Sequence, residues 1–323
     1  VPHCAVRTYV MGDRGTQNEQ ATGDDISKMS AIVREGILAG ALGFTTSRTE
    51  LHTTREDQAM PGTYADENEL LGIGRAIGET GGKAISGVVS DWNNWEEEMD
   101  WMKRLSIENN CQINFVLFFR EDEDWPRVKA QLDFVREAAK EGARLIPHVG
   151  ARPVNLLLSW DGTIHPFSFH ANYGPLSIMS HEERLAELRK PEVREAILAE
   201  DLPLMGDEFM DTIIGGYDKL YELGSPPNYE PGPEDSIAAK AAAAGVSPQQ
   251  YCYDLMLQND GMNVVYFPCF GYGAGDLSRQ VELLEDEATV ISLADTGAHC
   301  GVLCDASVPT QMLSYYVRDR ERG

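Results

Sequence analysis

Short β-rich runs alternate with longer amphipathic stretches along the first half of this chain, and that alternation confines it to a βα architecture with a parallel sheet. The candidate strands are HCAVRTYVM (3–11), ALGFTTS (41–47), KAISGVVS (83–90), QINFVLFF (112–119), ARLIPHVG (143–150) and TVISLAD (289–295). Between them DISKMSAIVREGILAG, ADENELLGIGRAIGETGG and EEEMDWMKRLSIENN bring apolar residues near i, i+3, i+4 spacing, which predicts helices. Asp24 or Asp25 and Asp66 are candidate N-caps, and Gly40, Gly81 and Gly82 are candidate stops.

The rhythm breaks at 150 and resumes only at 289, so the sequence divides into 1–150, an inserted segment 151–285 and a closing segment 286–323. The insertion reads as helix and loop. It holds HEERLAELRKPEVREAILAED (181–201), the proline-rich GSPPNYEPGPEDS (224–236) and the helical SPQQYCYDLMLQ (247–258). Its histidines, His165, His170 and His181, read as surface or loop residues.

A formal charge of −25 over 323 residues repels phosphate backbones and anionic lipid, which argues against nucleic-acid and membrane partners and leaves a small molecule. Six cysteines in a chain this long do not form a disulfide framework, and the expectation is reduced thiols and a cytoplasmic protein. The chain opens on Val1 and closes on RDRERG, which suggests a fragment. Oligomeric state is not legible.

Asp295 follows the apolar TVISLA run and precedes Thr296-Gly297, where a buried strand turns into its C-terminal loop. A carboxylate there can bind a metal ion or act as general base; it can equally cap a turn. His299, four residues on, is a candidate substrate contact. His148 lies near the end of ARLIPHVG as a candidate metal ligand, and Arg152 offers a planar fork to a substrate carboxylate or to a structural ion pair. Arg48, just after FTTS, is a further substrate-binding candidate, and His3 opens the first run. No His-x-His, HExxH or GxSxG occurs.

Taken together, VPHCAVRTYVMGDRG, GALGFTTSRTELH with PGTYADENELL, and LADTGAHCGVLCDASVPT resemble the D-aminoacylase-like branch of the amidohydrolase superfamily, the N-acyl-D-amino-acid deacylases. The resemblance implies a metal-dependent, TIM-like (β/α)8 barrel with a small β-sandwich, hydrolysing the linear amide of an N-acyl (D-)amino acid with metal-activated water, the metal in the complete protein being zinc. On this resemblance the first two barrel strands and the sandwich are expected to be absent from these residues, with the six runs standing as strands three to eight. Asp295 falls on the family's catalytic, metal-touching aspartate. Two metal histidines of the family do not carry over, since Gly87 and Leu117 stand at those positions. A relocated ligand such as His148 is one reading; a metal-free, catalytically impaired barrel that binds a small molecule is the alternative.

Overall fold

The computed structural model describes residues 1–50, 52–54, 56, 58–81, 85–90, 94–292, 301–303 and 306–320. In chain order the elements begin with helices α1 (His3–Met11), α2 (Asp13–Thr16) and α3 (Gly23–Leu38), then strand β1 (Gly43–Arg48) and α4 (Glu67–Gly78). They continue with β2 (Ile85–Ser90), α5 (Trp95–Asn109), β3 (Gln112–Val116), α6 (Trp125–Lys140) and β4 (Arg144–Gly150). Next come β5 (Val154–Leu158), α7 (His181–Leu188), α8 (Pro191–Leu198), α9 (Glu208–Gly215), β6 (Tyr221–Glu222), α10 (Ile237–Ala244), α11 (Pro248–Met256) and α12 (Gln258–Gly261). The last are β7 (Val265–Phe270), α13 (Ser278–Glu285), β8 (Val290–Ser292) and α14 (Val308–Gln311), which runs into a π-helical stretch, Met312–Asp319.

These elements fall into two compact units. The first comprises Val1–Phe118, Asp124–Val149 and Glu285–Ile291. Its sheet has the order β1-β2-β3-β4-β8, with β1 to β4 pairing in parallel. Five of the six runs predicted as strands are therefore strands, but β8, expected to be buried, is exposed at Val290 and Ile291. The sheet is mixed with helices as an α/β layer, but among the described residues it is open, with β1 and β8 at its edges, and no closed (β/α)8 barrel forms.

HCAVRTYVM is a correction: it is helix α1. Its buried residues are His3, Val6, Arg7 and Met11, a spacing of three to four that marks one helical face. Helix α3 begins with a capping box in which Thr22 is the N-cap and Asp25 the third residue, so the cap lies two residues before Asp24 and three before Asp25, the predicted caps. Asp66 caps α4 as expected, accepting from the Glu69 amide at 3.0 Å. Helix α4 packs closely on both neighbours: a Cβ at Gly72 would meet Ile26 at 2.4 Å, and one at Gly74 would meet Leu105 at 2.7 Å.

The second unit, Phe119–Glu123, Gly150–Leu284 and Ser292–Gly323, has its own sheet and its own core. Strand β7 pairs antiparallel with β5 on one side and β6 on the other. The interval read as helix and loop thus also carries a three-stranded sheet. Its core gathers Leu158, Trp160, Phe167, Leu188, Ile197, Tyr253, Met256 and Val265, all essentially without solvent contact. The four described cysteines, Cys4, Cys111, Cys252 and Cys269, form no disulfide with one another. No helix among the described residues is long and apolar enough to cross a membrane.

Candidate functional site

Parallel pairing brings the carboxyl ends of β1 to β4 to one edge of the sheet, the edge where open α/β sheets carry their chemistry. Arg48, the last residue of β1, is in register with Ser90, the last of β2, and Val116, the last of β3, is in register with His148. Arg48 reaches back to α5: its Nε and Nη2 donate to the Glu98 carboxylate at 2.8–2.9 Å, and its Nη1 donates to the Ala65 carbonyl at 2.7 Å. Ser90 Oγ donates to the same carboxylate at 2.9 Å, and the guanidinium lies 5.9 Å from the Trp101 ring centroid. The fork does hold a carboxylate, and that carboxylate is Glu98. Sequence reading missed Glu98 because three consecutive glutamates at a helix start look like solvated charge; its burial was not visible.

His148 is half-buried on β4, and burial lowers its pKa, so it is neutral at physiological pH, the form a metal ligand needs. The two positions at which the family's metal histidines are expected bring no donor. Gly87, paired with Thr45 and Asn114 in β2, has no side chain, and Leu117 is buried with only apolar atoms to offer. Among the described residues no three His, Cys, Asp or Glu side chains gather closely enough to hold a metal ion. Asp295 and His299 lie outside the described residues, as do Cys300 and Cys304.

His3 is not at the sheet edge but inside. Its Nε2 meets Glu69 Oε1 at 2.8 Å, its Nδ1 meets Thr46 Oγ1 at 2.8 Å, and Arg7 Nη1 donates to Glu69 Oε2 at 2.6 Å. All three ionisable groups have at most 1% exposure, so this is a buried network joining α1, β1 and α4. Burial pushes the Glu69 carboxyl up, but the bonds from His3 and the charge of Arg7 outweigh it and hold its pKa below the usual value. Gly62 belongs to the same packing: it adopts φ +104°, and a Cβ there would stand 2.7 Å from His3 Nδ1.

In the second unit Arg152 is buried, its Nη1 donating to Ser307 Oγ and Gln311 Oε1, each at 3.1 Å, with its guanidinium 4.4 Å from the centroid of Tyr229. His165 and His170 lie in loop, as expected, but they are not surface residues, being 2% and 1% exposed. His165 packs edge-on against Trp160 at 4.9 Å and Tyr173 at 4.7 Å. Burial, with the nearby Arg184 charge, pushes its pKa down to about 3. Nothing in SWDGTIHPFSFH except its density of aromatic and histidine residues signals this.

No family model and no curated protein matches the chain. Among solved structures it is similar to an N-acyl-D-glutamate deacylase from Bordetella bronchiseptica complexed with zinc and a phosphonate inhibitor, at 14% identity and a TM-score of 0.46. It is also similar to a D-aminoacylase described as defining a novel subset of amidohydrolases, at 15% identity and a TM-score of 0.45. Both alignments cover 90% of this chain and 46% of the other, so the chain spans about half the length of these structures.

Proposed function

We propose that this chain is part of a hydrolase of the amidohydrolase type that cleaves the linear amide C–N bond of an N-acyl (D-)amino acid or a similar small molecule. The observation that carries this reading is the motif LADTGAH following Val290–Ser292, a strand of the same sheet as β1 to β4. In amide hydrolysis water adds to the carbonyl carbon, the C–N bond breaks, and the amine leaves with a proton. Asp295 is the proposed carrier of that proton, taking it from water and returning it to nitrogen. His299 is the proposed contact to the substrate carbonyl. Arg48 and Arg152 are each proposed as a candidate for its carboxylate, and either fork has to exchange or share its present partners to hold it. Within this reading 1–150 and 286–323 carry the catalytic layer and 151–285 is the inserted part.

Zinc enters the proposal only through His148 and Asp295. A second reading, a metal-free barrel-derived protein that binds a small molecule without hydrolysing it, is favoured by Gly87 and Leu117, which offer no donor. Elemental analysis together with release of free amine from a panel of N-acyl D- and L-amino acids separates the two. Stoichiometric zinc with amine release supports the hydrolase; saturable ligand binding without zinc or turnover supports the second reading.

A further inference from the structure

A cleft of about 670 Å³ opens in the second unit among residues that follow β5, a size within the range of small-molecule sites. Ile164, Phe169 and Tyr173 give it apolar and aromatic wall, Ser168 and Ser177 give hydroxyls, and Arg184 gives a charge. Behind this wall Trp160 stacks on Phe167 and Tyr173 at centroid separations of 5.4 and 5.6 Å. The aromatic packing fixes the wall in advance, which lowers the ordering cost of binding.

The wall is rich in donors without acceptors. Arg184, whose side chain is 9% exposed, and Trp160 both line the cleft, and Arg184 Nε and Trp160 Nε1 are buried without a hydrogen-bond partner. Leaving a buried N–H unpaired costs about 1–3 kcal/mol, and both orphans belong to residues that line the cleft. His165 adds to the donor side. Its Nδ1 accepts from the Phe167 amide at 3.2 Å, so the neutral ring carries its proton on Nε2.

Charge selects the sign of the ligand. Asp161 accepts from Arg184 Nη2 and faces His181 Nδ1 at 2.6 Å, and this contact raises the His181 pKa. One carboxylate therefore answers two groups that are both cationic when His181 is protonated. With His181 protonated the group carries one positive charge more than Asp161 balances, and within a chain of charge −25 an anion is drawn there.

We infer that this cleft binds a small organic carboxylate carrying an aromatic-sized apolar body, with the carboxylate on Arg184 and the body against Ile164, Phe169 and Tyr173. The site lies within the second unit and does not depend on the hydrolase reading. The test is titration of the full chain with phenylacetate and, separately, with neutral phenylacetamide, followed by tryptophan fluorescence and ligand-observed NMR. Phenylacetate binds saturably, and Arg184→Gln weakens it about tenfold or more through loss of a charge-assisted hydrogen bond. Ser177 is exposed, so Ser177→Trp fills the cleft without disturbing the core and abolishes binding even if the Arg184 variant fails to fold. No saturable binding, equal binding of the amide and the acid, or undiminished binding to folded Ser177→Trp each overturns the inference.

Discussion

Replacing Glu69 with Gln keeps the shape of the side chain and removes one charge from a place with no measurable solvent exposure. Arg7, also fully buried, then loses its counter-ion; its remaining contact to the Glu19 carbonyl is neutral, and its Nε already lacks a partner. Stranding one member of a buried pair costs about 3–5 kcal/mol. At roughly 2–4 °C per kcal/mol for a unit of this size, the melting temperature should fall by about 6–20 °C. Circular dichroism melts and calorimetry read this directly. Adding Arg7→Met to Glu69→Gln removes the stranded charge, so the double variant should be less destabilised than the sum of the singles by about 1 kcal/mol or more. A Glu69→Gln protein melting within about 2 °C of the parent, less than 1 kcal/mol would produce, would refute the reasoning.

Two pH effects follow from buried titrating groups. Asp25 accepts from the Thr22 amide at 2.9 Å, the Thr22 hydroxyl at 2.7 Å and Arg14 at 3.0 Å, which lowers its pKa from 3.8 to about 2. Its contribution is present above pH 3.8 and lost between there and about 2, so the difference in melting temperature between parent and Asp25→Asn should close over that window, and a constant difference would contradict the assignment. His165 is held neutral, with its pKa lowered from 6.5 to about 3, so the stability it allows is complete above pH 6.5 and declines as pH falls towards 3. At about 1.4 kcal/mol per pH unit, acidification from pH 7 to 5 should cost about 2 kcal/mol, and His165→Phe should flatten that decline in denaturant titrations; an unchanged slope would count against it.

The parallel layer was legible because its signals are local. β2, β3 and β4 each announce themselves as β-branched or aromatic runs beside an amphipathic helix, and Asp66 caps α4 where the sequence puts it. α1 was misread because two of its core residues are His3 and Arg7, which look like solvent positions until Glu69, far along the chain, neutralises them. β7 was hidden by Pro268, a residue that argues against a central strand. It is tolerated opposite Asn155, beside the register shift between Val154 and Asn155, where the ladder is already irregular. β5 and β7 are also more than a hundred residues apart, and no local pattern reports such a pairing. At the candidate site the sequence named Arg48 but not Glu98, since the partner of a charge is a tertiary fact.

The central claim rests on Asp295, and the most direct measurement is kcat for amine release by the complete protein and its Asp295→Asn variant on the best N-acyl amino acid of the panel. Loss of the proton-carrying carboxylate should lower kcat by about 10²–10⁴ while the melting temperature stays near that of the parent. Turnover within a few fold of the parent by the folded variant would contradict the account.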